Sequence, residues 1–290
     1  MANTTPPRWR LQGSSVTSAV LGLGLLVLGC TEVRDLGSTV PHNGRLPVDD
    51  RNPILLANDG AFDNWQGEYA ILLANSGGPR LTGIIVNTRG PWPDIETNIA
   101  GWRAMVTAAT SSGIPDVPDP TASIGAPLVR PADGKFLSTV QNRSEGARLI
   151  VDLSARVSLP YRKLVVATGG RLTDVADAYL IDQTVAQRVV VVSSVGSVTA
   201  SGGAMGVPNG EMDSWADAIV TKVFPFVQVS SFYDQLMDVP DSEVAALPAN
   251  PFGDWIAAKH SRVWSTQLAG DQVSVLAVGL PTFATGVETV

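Results

Sequence analysis

Asp59, Asp63 and Asn64 place up to five side-chain oxygens within six residues, in the stretch Ala57 to Asn64, ANDGAFDN. Two carboxylates this close repel each other unless they are well solvated or share a cation. A ligand set made only of oxygen suits a hard ion such as Ca²⁺ better than Zn²⁺. An EF-hand is excluded by spacing. Counting from Asp59, the sixth position is Asn64 rather than Gly and the twelfth is Ala70 rather than Glu. The competing reading is a solvated turn whose aspartates cap a helix.

The elements that must position these residues are legible around them. Ile54–Ala57 is a short apolar run and reads as a buried strand. The apolar pattern returns through Tyr69, Ile71, Leu72 and Leu73, as in a helix packing back on a sheet. The carboxylate loop then sits at the carboxyl end of its strand, where open α/β sheets bind their ligands.

Farther along, 81–86, 163–167, 188–192 and 226–229 read as strands. Residues 94–109, a segment through Val157 capped by Ser144, 172–180, 213–223, 254–267 and 271–278 read as helices. Residues 111–133 read as a loop around a short strand, 196–210 as a glycine-rich loop and 238–254 as a proline-rich loop. Alternating apolar strands and amphipathic helices predict an α/β domain with a single open, mostly parallel sheet and helices on both faces. The exits of three strands, at Asp59, Asn87 and Thr168, fall on one edge if the strands are parallel. That convergence argues for one site.

The 290 residues are enough for one large domain, and the net charge of −7 gives no electrostatic support for nucleic-acid binding. There is no Gly-x-Gly-x-x-Gly after a strand, no Gly-x-Ser-x-Gly, no metal-spaced His pair and no second Cys. The amino terminus stands apart from the domain. Arg8 and Arg10 precede a mostly apolar run, Val16 to Gly29, that has the length of a signal-peptide core. It ends Val27-Leu28-Gly29-Cys30, which resembles a bacterial lipobox. Residues 1–29 are therefore expected to be a lipoprotein signal peptide and Cys30 the lipidated residue. Residues 30–52 are expected to be a tether, and 53–290 the folded domain. On this reading the chain is expected in the bacterial cell envelope, held to a membrane by its lipid.

The chain resembles the inosine–uridine-preferring nucleoside hydrolases from about residue 53 to 283. Ala57-Asn58-Asp59-Gly60-Ala61-Phe62-Asp63-Asn64 falls on the family's Asp-x-Asp-Pro-Gly-x-Asp-Asp, keeping the second and third aspartates. Val166-Ala167-Thr168-Gly169-Gly170-Arg171-Leu172-Thr173-Asp174 resembles its Thr-Gly-x-Leu-Thr-Asn segment, with Arg171 as an extra residue. Asn209-Gly210-Glu211-Met212-Asp213 resembles its Asn-x-x-x-Asp, and Gly270-Asp271-Gln272 stands where the family has His-Asp-Pro.

The resemblance implies calcium-dependent hydrolysis of the N-glycosidic bond of ribonucleosides. Asp59 would be the catalytic base. Asp59, Asp63, Asn64, the carbonyl of Thr168 and Asp271 would hold Ca²⁺. Asn209 and Asn87 would contact the substrate. The substitutions Ala57, Asn64, Val207 (where the family has a ribose-contacting Glu two residues before Asn209) and Gly270 favour an alternative, a lipid-anchored protein that binds a nucleoside or sugar without cleaving it. Hydrolysis of another glycosyl compound is a third reading. A homo-oligomer is left open. With Gly270 in place of the family's His, the leaving base would be activated by aromatic stacking. Trp65, Trp92, Trp255 and Trp264 are the candidates, and His260 is expected at the surface.

Overall fold

The computed structural model describes residues 32–35, 48–60, 65–88, 94–194, 208–230, 241–260 and 272–279. In chain order these form β1 (Glu32–Asp35), β2 (Ile54–Asn58), α1 (Trp65–Asn75), β3 (Leu81–Val86), α2 (Ile95–Ser111), β4 (Pro120–Ala122) and α3 (Glu145–Val157). β5 (Leu164–Thr168), α4 (Thr173–Ile181), α5 (Val185–Arg188), β6 (Val189–Ser193), α6 (Pro208–Met212), α7 (Ser214–Val223) and β7 (Phe226–Ser230) follow. The last helices are α8 (Asp241–Val244), α9 (Pro251–His260) and α10 (Gln272–Gly279). A 3₁₀ turn, Phe136–Ser138, interrupts the segment after β4.

One sheet in the order β1-β7-β6-β5-β2-β3-β4 runs through the molecule. β2 to β7 are parallel to their neighbours, and β1 lies antiparallel on the β7 edge. The predicted open, mostly parallel sheet is the one observed.

Alternation along the strands divides the interior into two cores. Ile54, Leu56, Ile84, Val86, Val165, Ala167, Val190 and Val192 face one way, against side chains of α1, α2, α9 and α10. Leu55, Ala57, Ile85, Leu164, Val166, Val189 and Val191 face the other way, against α3, α4 and α7. Strands buried on both faces need apolar residues at every position, which is why they read as unbroken runs rather than as alternations. Helix starts follow the same local logic. Asp94, Ser144 and Asp213 each cap a helix by accepting from a backbone N–H three residues on.

Three boundaries differ from the sequence reading. The stretch expected to be a tether contributes to the domain. Residues 32–35 pair with β7, Val48 is buried in the first core, and the Asn52 amide donates to the Lys163 carbonyl at 2.8 Å. The segment 238–254 is not loop throughout, because α8 and the first turn of α9 fall inside it. α9 begins at Pro251 rather than Asp254. Asn250 caps it, its Oδ1 accepting from the N–H groups of Phe252 and Gly253 at 3.0 and 2.8 Å. Proline suits this first helical position, where an N–H would have no intrahelical acceptor. Among the described residues no helix is long and apolar enough to cross a membrane.

Candidate active site

The winding of the sheet reverses beside β2. From β2 the chain moves outward through β3 and β4 on one side, and β5 continues to β6 and β7 on the other. Loops leaving β2 and β5 therefore part in opposite directions and leave a crevice at their carboxyl ends, the usual ligand position in such sheets. The ladder holds these exits level. The N–H of Asn87 donates to the Asn58 carbonyl, that of Gly169 to Ala57, and that of Ser194 to Thr168, each at 2.9 Å.

Asp59 follows β2 directly and is 5% exposed. Gly170 lies against it from the β5 exit. A methyl at Gly170 would stand 2.9 Å from Cγ of Asp59. Close approach of the two loops, not an unusual backbone angle, requires glycine there.

Behind the crevice a set of buried amides fixes the loops. Asn58 accepts from the Gly60 N–H at 2.7 Å and donates to Gln66 Oε1 at 3.1 Å. Gln66 in turn donates to the Ala167 carbonyl at 3.2 Å and to Ser274 Oγ on α10 at 2.9 Å. Asn98 Nδ2 on α2 donates both to the Asp59 carbonyl at 2.9 Å and to the Asn87 carbonyl at 3.2 Å. The indole N–H of Trp102 holds the Gly60 carbonyl at 3.0 Å. An amide offers donors and an acceptor without a charge, so it anchors backbone beside a carboxylate without adding to the local field.

Asn87 is held by its own partner. Asp174 Oδ1 accepts from Ser123 Oγ at 2.7 Å and Ser144 Oγ at 2.8 Å, and its Oδ2 receives the Asn87 amide at 3.4 Å. With its nitrogen drawn to Asp174, Asn87 turns its Oδ1 elsewhere. That oxygen and Oγ1 of Thr168 are buried and have no hydrogen-bond partner among the described residues. Such groups are uncommon in a native interior and call for a partner.

The structure thus brings Asp59, Asn87 and Thr168 to one edge. Asn209 is buried on α6, just before α7. The α7 cap, Asp213, ties this start of the helix to the other loops, accepting from Leu128 N at 2.9 Å and Thr173 Oγ1 at 2.6 Å. Burial raises the Asp213 carboxyl above its usual range, partly offset by those hydrogen bonds and by the nearby Arg171 charge. Asp63, Asn64, Asp271 and Cys30 lie outside the described residues, as do Trp92, Trp264, the side chains of Trp65 and His260, and the greater part of the 196–210 loop. Trp255 is half-buried and packs on the first core.

The donors here are all oxygen, which fits a hard cation. The Thr168 carbonyl accepts from Ser194 N at 2.9 Å. Among the described residues no group of three His, Cys, Asp or Glu side chains converges. Asp59 is the described carboxylate of the set, and the others assigned from sequence are Asp63 and Asp271.

No family sequence model matches the chain, and no curated protein matches it by sequence. Solved structures do. The inosine-uridine preferring nucleoside hydrolase from Bacillus anthracis superposes with a TM-score of 0.57 at 14% identity, over 82% of this chain and 90% of that one. The inosine-guanosine nucleoside hydrolase gives 0.55 at 14% identity, over 79% of each chain. The fold is that of the nucleoside hydrolases. The type III effector protein XopQ, solved with adenosine diphosphate ribose, gives 0.54 at 16% identity over 93% of this chain and 87% of its own. On the nucleoside-hydrolase fold, the residues to which the sequence reading gave no role are Asn58, Gln66, Asn98 and Ser123. Each is a polar residue at the end of an apolar run or inside a helix, with no local pattern to mark it.

Proposed function

We propose that this protein hydrolyses the N-glycosidic bond of ribonucleosides, giving ribose and the free base, with Ca²⁺ at the site. The observation that carries the reading is the placement of Asp59. A buried carboxylate stands at the switch point of a nucleoside-hydrolase fold, beside two buried oxygens, Asn87 Oδ1 and Thr168 Oγ1, that lack partners among the described residues. XopQ was solved with a ribosyl compound, which supports a ribosyl ligand here.

Asp59 accepts the proton of the attacking water. As the bond to the base nitrogen breaks, its electron pair leaves with the base, which takes up a proton from solvent. The sugar develops oxocarbenium character, which the Asp59 charge stabilises until water adds and gives Asp59 its proton. Asn87 Oδ1 accepts from a ribose hydroxyl, its direction set by Asp174. Asn209 holds the sugar from the α6 side. Asp59, Asp63, Asn64, the Thr168 carbonyl and Asp271 would hold Ca²⁺, which when bound lowers the pKa of a bound water and orients the ribose hydroxyls. Release of ribose from inosine or uridine in calcium buffer tests this. Asp59→Asn should remove it. Binding of ribosides without any release of ribose would reassign the protein as a non-catalytic receptor.

The amino terminus supports export and lipidation at Cys30. Cys30→Ala should shift the protein from the membrane fraction to the soluble or unprocessed pool. A wild type that carries no lipid and is already soluble refutes the anchor.

A further inference from the structure

Among the described residues, Arg171 is a buried cation with no counterion in contact. It follows Gly170 on the loop from β5 to α4 and is 8% exposed. One terminal nitrogen, Nη2, donates to the Gly125 carbonyl on the segment after β4. Its Nε is buried and has no hydrogen-bond partner among the described residues. None of the ion pairs among the described residues includes it.

The nearby acid does not answer for it. Asp213 feels the Arg171 charge through space, but among the described residues no hydrogen bond or ion pair joins the two. Oδ1 accepts from Ala216 N at 2.9 Å, and Oδ2 accepts from Leu128 N and Thr173 Oγ1. A guanidinium carries five donors, and a buried charge is costly unless it is paired and hydrogen-bonded. The bond to Gly125 uses one donor and needs no charge.

We propose that Arg171 recognises a phosphate carried on the riboside substrate. This rests on the riboside reading above and narrows it to phosphorylated ribosides, such as ribonucleoside 5′-phosphates or ribose phosphates. The geometry selects both the anion and its place. The planar fork of arginine matches two phosphate oxygens at once, and charge-assisted bonds of this kind are about twice as strong as neutral ones. Gly170, the preceding residue, packs on Asp59, so the Arg171 loop borders the reaction centre. The guanidinium lies among the segment after β4 (Gly125), the β5 exit and the start of α7, where Asp213 stands four residues after Asn209, the proposed sugar contact. A phosphate on the sugar is therefore better placed for it than one on the base.

The test compares ribose 5-phosphate with ribose, and inosine 5′-monophosphate with inosine, by calorimetry in calcium buffer free of other phosphate. Wild type should bind each phosphorylated compound at least about tenfold more tightly, the step expected of one charge-assisted pair. In Arg171→Gln that ratio should collapse toward one. Should Arg171→Gln fail to fold, Arg171→Lys decides. It keeps the charge but not the fork, and the ratio should fall at least about threefold. A ratio near one in wild type, or a tenfold ratio kept in whichever variant folds, overturns the proposal. Binding of ribose and inosine with no gain from phosphate leaves the riboside reading standing and removes only this one. No binding of any of the four overturns both.

Discussion

Gly170 and Asp59 touch across the gap between β5 and β2, with space for a hydrogen but not for a methyl. The added carbon would lie 2.9 Å from Cγ, 3.0 Å from Cβ and 3.2 Å from Oδ2 of the aspartate. Gly170→Ala must therefore move the carboxylate or the loop. Overpacking of this kind costs about 1–3 kcal/mol, and a misplacement of ~1 Å at a catalytic group can cost ~10²-fold in rate. Ribose release should fall by at least about tenfold in Gly170→Ala while the protein still folds. Unchanged kcat in a folded Gly170→Ala would show that the loop yields and that this contact does not position Asp59.

Asn98 grips the backbone of both Asp59 and Asn87 with one side chain. Asn98→Ala leaves two buried carbonyls without their donor and opens a gap beside Trp102. The loss should be about 1–3 kcal/mol for the unsatisfied groups alone, read as a lower urea midpoint at unchanged slope. Asn98→Asp should be worse, since an ionised carboxylate can only accept and would face two carbonyls. A variant as stable as wild type would mean that the loop after β2 holds its shape without α2.

How much of this was readable beforehand depends on whether a residue's role is local. β2, β3, β5 and β6 were legible because doubly buried parallel strands require apolar runs, and Ser144 because an N-cap precedes its helix immediately. The edge carrying Asp59, Asn87 and Thr168 followed from those runs. Asn58, Gln66 and Asn98 were not legible, because, apart from the Asn58 bond to Gly60, the partners of their side chains lie between 8 and 208 residues away. The same holds for β1, whose partner strand is β7. The start of α9 could have been read, since Asn250-Pro251 is a cap followed by a first-turn proline. The loop reading of 238–254 hid it.

Calcium binding, if held by Asp63 and Asp271 together with Asp59, should raise the melting temperature of the wild type. A ligand bound only to the native state stabilises it by about 2.7 kcal/mol at a hundredfold excess over Kd. Asp63→Ala and Asp271→Ala should each abolish that rise. Both variants responding to calcium as wild type does would remove these two residues from the site.

Asp217 gives the fold a pH dependence whose sign is fixed by burial. It lies on α7, is 2% exposed, and neither carboxyl oxygen has a hydrogen-bond partner among the described residues. Burial, with a smaller contribution from the Asp213 charge, pushes its pKa up to about 8. Unfolded, an aspartate titrates near 3.9. Between these values the folded protein holds a proton that the unfolded chain has lost. The contribution to stability is therefore complete below about pH 4 and declines as pH rises through about 8. The slope is roughly 1.4 kcal/mol per pH unit, on the order of 5 kcal/mol across the window. Asp213, also raised, acts in the same direction. Asp217→Asn keeps the shape and cannot ionise, so urea midpoints taken from pH 5 to 9 should lose about one proton's worth of slope. Above pH 8 the variant should be the more stable protein. Parallel midpoint curves for the two proteins across that range would mean that Asp217 is already ionised in the fold.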